Sequence, residues 1–165
     1  LVTCPANLLA CAKIAASNIL LVPSPASVFV ICMKSRLLAG FLWCALLGWA
    51  GGIVWLSLTT QGNLPTAAFL FSDKSNHFIA FAIGGWLAAT ALRVSLARLP
   101  ITGAILIAIT LIGALGALDE TLQTFTPGRT GGDLYDWIAD FLGGGAGALL
   151  TLLTHARLER FITRP

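Results

Sequence analysis

Charge is what this sequence has least of. Only 10% of its 165 residues are Asp, Glu, Lys or Arg, against about a quarter in an ordinary soluble domain. So few ionisable groups cannot cover a water-facing surface, which argues against a soluble globular domain and turns most of the exterior toward lipid. The mean hydropathy of +0.88 agrees. No basic stripe interleaved with aromatics occurs, so a nucleic-acid-binding surface is a poor reading. The net charge of +3 is then a matter of membrane topology. Four cysteines (Cys4, Cys11, Cys32 and Cys44) supply neither a disulfide framework nor a paired metal-ligand spacing. HExxH, a Ser-His-Asp spacing and phosphatase motifs are also missing. The Asp, Glu and His residues show no fixed metal-ligand pattern, so the sequence assigns no metal and no cofactor.

What is present is apolar sequence in long runs. Residues 37–58 carry no charge over 22 positions, and residues 101–118 carry none over 18. Residues 78–92 extend to spanning length if His77 and Arg93 stand at the two membrane boundaries. The run 141–154 reaches it only if Trp137 to Asp140 belong to the same helix; otherwise it is a buried or re-entrant segment. A span needs roughly 20 residues at about 1.5 Å each. The fold class expected is all-α, an integral-membrane four-helix bundle with spans at about 37–58, 77–96, 101–119 and 137–155.

Basic residues set the orientation. Lys34, Arg36, Arg93, Arg98, Arg157, Arg160 and Arg164 all fall on one side of such a bundle. The opposite loops hold Lys74 and Arg129 among Asp73, Asp119, Glu120, Asp133 and Asp136. Basic residues near span ends stay cytoplasmic. Both termini are therefore expected inside, with loops 59–76 and 119–136 outside.

Residues 1–32 read differently from the rest. Lys13 and Asn18 interrupt their longest apolar part, and Pro23 and Pro25 follow. The only Met is Met33, placed just before Lys34, Arg36 and the first clean run. This pattern predicts a membrane domain over 33–165 and a poorly defined extension over 1–32, with Met33 as the expected start.

Glycines suggest how the helices meet. Gly143 and Gly147 are four apart, Gly113 and Gly116 three apart, and Gly48 and Gly52 share a face of the first span. Small residues on one face let membrane helices approach closely, so packing is their expected role.

Five of the seven carboxylates lie within residues 118–140. Glu120 and Gln123 (i, i+3) and Asp119 and Gln123 (i, i+4) share a face of a continuing helix. Pro127-Gly128 ends that helix, and Asp133 can cap the next one. Asp136 and Asp140 then descend four apart into the fourth span. Their repulsion calls for compensation by Arg129, Lys74, a metal or protonation. Asp73 and Lys74 precede the second span, His77 falls in its first turn, and Phe78 and Phe81 run along one side. If the second, third and fourth helices pack together, His77, Glu120, Gln123, Arg129, Asp136 and Asp140 converge at the outer membrane boundary. Ionisable groups at that depth suggest a functional site. Structural roles stand beside it: an Arg129 ion pair with Asp133 or Asp136 fixing the loop, His77 as a cap, Asp140 and Gln123 as joints between helices.

These elements, in this order, resemble the VanZ-like family of membrane proteins. The resemblance rests on Asp73-Lys74-Ser75-Asn76-His77-Phe78, Asp119-Glu120-Thr121-Leu122-Gln123, Pro127-Gly128-Arg129, and Asp136-Trp137-Ile138-Ala139-Asp140 with Gly143 and Gly147. It covers about residues 35–155. Gly84-Gly85 stand where relatives often carry a bulkier aliphatic residue, a change expected to loosen packing there. The resemblance implies a multi-pass protein of the bacterial cytoplasmic (inner) membrane, in a family named for low-level teicoplanin resistance.

Two classes of function stay open. One is an envelope protein binding a lipid-linked, glycopeptide-like or otherwise amphiphilic anionic ligand at the extracytoplasmic face. Asp73, Lys74, His77, Glu120, Gln123, Arg129, Asp136 and Asp140 would form that ligand-binding set, with Arg129 suited to hold an anion by its planar donors. The other is an integral-membrane hydrolase or transferase acting on a phosphate-bearing lipid. In it His77 is the candidate base or nucleophile, Glu120 or Asp140 its orienter or proton donor, and Arg129 the anion stabiliser. A transporter would need a homo-oligomer, since four spans are few for alternating access.

Overall fold

The computed structural model describes residues 25–66 and 71–163. Cys4, Cys11, Lys13 and Arg164 lie outside the described residues. Four long helices account for nearly all of the rest: α1 (Pro25–Ser57), α2 (Asp73–Ser95), α3 (Ile101–Thr124) and α4 (Leu134–Thr163), with a short 3₁₀ turn at Gln61–Asn63. Each of the four is long and apolar enough to cross a bilayer. The protein is an all-α bundle of four membrane-spanning helices.

Local chemistry accounts for the helix ends. Ser72 caps α2 by accepting the Ser75 N–H at 3.3 Å, and Asp73 in the first turn with Arg93 in the last complements the helix dipole. α3 starts directly after Pro100, whose extended backbone leads into the first turn. At its far end Phe125 and Thr126 donate N–H groups to Leu122 and Gln123 carbonyls at 3.1 and 3.0 Å, tightening the last turn. Pro127 then stops the helix, and Gly128 supplies the positive φ of 79° that turns the chain away. Asp133 caps α4, its Oδ1 accepting the Tyr135 N–H at 2.7 Å. Trp137 to Asp140 lie in the same unbroken helix as residues 141–154. α1 starts well before the first apolar run and passes through Met33 without a break. Its 33 residues make about 50 Å of helix, longer than the hydrocarbon core.

The helices alternate in direction, and α2 with α4 makes the most extensive contact. Glycines permit it. A Cβ at Gly143 or Gly147 would collide with the Phe78 or Ala82 carbonyl, and one at Gly85 with the Gly144 carbonyl. Gly116 of α3 similarly leaves room for Asp140, whose Cβ would lie 2.9 Å from an added one. The core between them is built from small and medium side chains, among them Ala88, Ala89, Ala104, Ile105, Ala108, Ile112 and Ala148, around the larger Phe81.

Three packing expectations are corrected. Gly48 and Gly52 do not hold α1 to its neighbours, because an added Cβ at either meets nothing within 4 Å. α1 attaches through large side chains instead. Trp49 seats its ring over Gly84, packs edge-on against Phe81 and donates its indole N–H to the Ala80 carbonyl at 2.9 Å. Gly84-Gly85 therefore do not loosen the bundle; they are where Trp49 of α1 and the Gly144 backbone of α4 press against α2. Phe78 and Phe81 also part company, the first exposed and the second fully buried.

The bundle has two chemically distinct ends. At one, Trp43 donates to Ser95 at 2.9 Å, and Glu159 meets His155 at 3.1 Å and Arg93 at 3.6 Å. The other end holds the polar residues of 118–140.

Candidate functional site

Four helix ends build the site: the last turn of α1, the first turns of α2 and α4, and the last turns of α3. His77, Asp119, Glu120, Gln123, Asp136 and Asp140 are all buried there. Buried polar groups need partners, and most have them. His77 Nδ1 lies 2.9 Å from Asp140 Oδ1 and 3.8 Å from Asp119 Oδ2. Asp119 accepts from the Ser57 hydroxyl through Oδ1 and from Gln123 Nε2 through Oδ2 at 3.1 Å. Glu120 Oε2 accepts the Asp133 N–H at 2.9 Å, so α3 anchors the chain leading into α4. Phe81 stacks beneath the His77 ring, the two planes 10° apart.

Lys74 sits over the outer carboxylates, 2.8 Å from Asp136 and 3.4 Å from Asp133. The loop-fixing ion pair thus belongs to Lys74 rather than Arg129. Arg129 instead reaches across to α1, its Nη1 donating to the Leu56 carbonyl at 3.4 Å. The Tyr135 N–H bound to the Asp133 carboxylate holds that exposed group below the ordinary carboxylate range.

A cavity of about 460 Å³ opens among these elements. Its polar wall carries His77, Asp119, Gln123 and Arg129, and its apolar wall Ile53, Leu56, Phe71 and Phe81. Asp73 stands at its rim, exposed. Lys74, Glu120, Asp136 and Asp140 do not line it.

Sequence reasoning passed over Ser57 and Thr126. Ser57 is 1% exposed and donates to Asp119. Thr126 donates to the Ser57 carbonyl at 2.8 Å, tying the α3–α4 loop to α1. A serine closing an apolar run ordinarily bonds back to its own helix, as Ser57 also does to Ile53. Nothing in its sequence position distinguishes the second role. A second set was also invisible in linear spacing. His77, Asp119, Glu120 and Asp140 each offer a ligand atom within 4.8 Å of the others, and so do Asp73, His77 and Asp136.

No protein-family model, curated protein or solved structure matches the chain. The arrangement offers a guanidinium beside an apolar wall, a histidine oriented by a buried carboxylate, and three carboxylates gathered around that histidine.

Proposed function

We propose that this four-span protein is a VanZ-like protein of the bacterial cytoplasmic membrane, with both termini inside. In this reading it binds the anionic headgroup of a lipid-linked or amphiphilic molecule at the extracytoplasmic face. The observation that carries the reading is the position of Arg129. Arg129 lines a cavity together with the apolar Ile53, Leu56, Phe71 and Phe81. Among the described residues it makes no ion pair, and its hydrogen bond goes to a backbone carbonyl. A guanidinium has five donors in a planar fork, so most remain available for a phosphate or carboxylate. The apolar wall suits the acyl or prenyl chain attached to such a group. A headgroup of glycopeptide character would place the protein among those linked to teicoplanin resistance.

A hydrolase or transferase is the second reading, favoured by the His77–Asp140 contact. A carboxylate that fixes one ring nitrogen leaves the other to act as a base, and His77 lines the cavity that Arg129 lines.

Native mass spectrometry of the detergent-purified protein with its co-purifying lipids, wild type against Arg129→Ala, tests both. One anionic lipid held by the wild type and lost from a folded variant supports binding. Conversion of that lipid during incubation moves the assignment to an enzyme. Equal lipid profiles in the two proteins overturn the reading.

A further inference from the structure

The carboxylates at this end of the bundle divide by their counter-charges. Asp133 and Asp136 share Lys74. Asp119, Glu120 and Asp140 lie deeper, at most 5% exposed. The ion-pair partner of Asp119 and Asp140 among the described residues is His77 alone. With all three ionised, these buried carboxylates would carry more negative charge than one imidazole and the Arg129 acting on Asp119 from the cavity wall offset; a low-dielectric site of this kind takes up protons or a cation.

The oxygens themselves are sorted in a way that indicates the partner. Asp119 has both oxygens held, Oδ1 by Ser57 and Oδ2 by Gln123, whereas only one is held in each of the others, Glu120 Oε2 by the Asp133 N–H and Asp140 Oδ1 by His77. The remaining oxygens of the last two, Glu120 Oε1 and Asp140 Oδ2, are buried and accept no hydrogen bond from any described residue. Metal-binding carboxylates are held in this manner, one oxygen oriented by a surrounding donor and the other left for the ion. His77, Asp119, Glu120 and Asp140 also bring ligand atoms within 4.8 Å of one another. Two donor atoms on one ion, each about 2.1 Å from it, stand about 3.0–3.4 Å apart. The His77 Nδ1 distances of 2.9 Å to Asp140 and 3.8 Å to Asp119 bracket that separation.

We propose that His77, Asp119, Glu120 and Asp140 form a binding site for one divalent transition-metal ion between α2, α3 and α4. One imidazole with three carboxylates suits Zn²⁺ or Mn²⁺; a purely oxygen set would suit Mg²⁺ or Ca²⁺. The ion takes the place of the proton between His77 Nδ1 and Asp140 Oδ1 and engages the two unpartnered oxygens. It also lies just behind the cavity wall formed by His77 and Asp119, adding positive charge on the same side as Arg129. The proposal does not rest on the anionic-ligand reading, because ion uptake is measured with the metal alone and lipid retention without it.

The test uses the full chain, purified in mild detergent, stripped with a chelator and then equilibrated with Zn²⁺ or Mn²⁺. Elemental analysis should find about one ion per chain. Asp140→Asn and Glu120→Gln should each weaken uptake at least roughly tenfold, while Glu159→Gln, at the opposite end, should leave it unchanged. Size-exclusion profiles confirm that the variants are folded. Should the variants not fold, X-ray absorption of the zinc-loaded wild type decides, with one imidazole nitrogen and otherwise oxygen ligands expected. Uptake well below one ion per chain, uptake indifferent to both substitutions, or a sulfur ligand in the spectrum would overturn the site. Any of these would leave the cluster as a proton-held clasp between helices.

Discussion

His77 of α2 and Asp140 of α4 meet at 2.9 Å, Nδ1 to Oδ1, with Asp140 completely removed from solvent. The contact depends on glycine. Gly143, one turn further along α4, lets that helix lie against the α2 backbone at Phe78, and Gly116 of α3 opens space for Asp140 from the other side. The polar pair and the close-packed small residues are one arrangement: without the glycines the helices stand too far apart for a short aspartate to reach the imidazole.

Breaking this pair is expected to be costly. His77→Ala leaves Asp140 without its partner in a dry site and should destabilise the protein by about 3 kcal/mol. Asp140→Asn keeps an acceptor oxygen and should cost about 1 kcal/mol. The double variant should be less damaged than the sum of the two. Denaturant titration in detergent, followed by tryptophan fluorescence, measures all three. Additivity within about 0.5 kcal/mol would show that the two residues are not coupled.

The glycines should divide into two classes. Gly147→Ala drives a Cβ into the Ala82 carbonyl and should cost about 1–3 kcal/mol as α2 and α4 are forced apart. Gly48→Ala meets open space and should stay within about 0.5 kcal/mol of wild type. Thermal midpoints of the two variants in one detergent compare them directly. Equal effects would contradict the packing described for α1 and α4.

Much of this was legible in the sequence, and the remainder has a physical reason. Spans are read from apolar length, and the four runs do lie in four membrane-length helices. The approach of His77, Glu120, Gln123, Asp136 and Asp140 to one end of the bundle was expected from helix periodicity once their helices were allowed to pack, whereas the place of Asp119 beside His77 and Ser57 was not. Periodicity says which face a residue shares, but not which neighbour occupies that face. The open stripe at Gly48 and Gly52, the exchange of Arg129 for Lys74 at Asp136, and the bond from Ser57 to Asp119 all depend on where α1 docks. Composition does not encode that. It is set by the fit of Trp49 over Gly84 and against Phe81.

Asp133 gives a pH dependence with a definite sign. Its carboxyl is held below the ordinary range by the Tyr135 N–H, so it stabilises the fold when ionised. The contribution is complete above the unfolded value of about 3.9 and is lost as pH falls through the lower folded value. Asp133→Asn keeps the cap without the charge. The difference in thermal midpoint between wild type and this variant should therefore be largest at neutral pH and close in acid. A difference that does not change between pH 7 and 3 would mean that the charge adds nothing to the cap.

The proposed topology puts the site outside. A cysteine at Thr130, which is exposed in the α3–α4 loop, should react with a membrane-impermeant maleimide in intact cells. A cysteine at Arg157, near the end of α4, should react only after permeabilisation. Both are placed in a background with the native cysteines replaced. The reverse pattern would invert the bundle and put the cavity in the cytoplasm.

Arg129 separates charge from geometry. Arg129→Ala removes both the positive charge and the donor fork from the cavity wall, and retention of an anionic lipid should fall roughly tenfold to a hundredfold. Arg129→Lys restores the charge on a flexible stem but cannot hold two oxygens in one plane, so retention should recover only part of the way. Arg129 also bonds to the Leu56 carbonyl, and a mere loss of loop anchoring would lower folded yield along with binding. Lipid occupancy is therefore measured by native mass spectrometry and normalised to the folded peak in size exclusion. A folded Arg129→Lys protein that retains lipid as well as wild type would reduce the role of Arg129 to a point charge. A folded Arg129→Ala protein that does so would remove Arg129 from ligand binding altogether and leave it as a tie between the α3–α4 loop and α1.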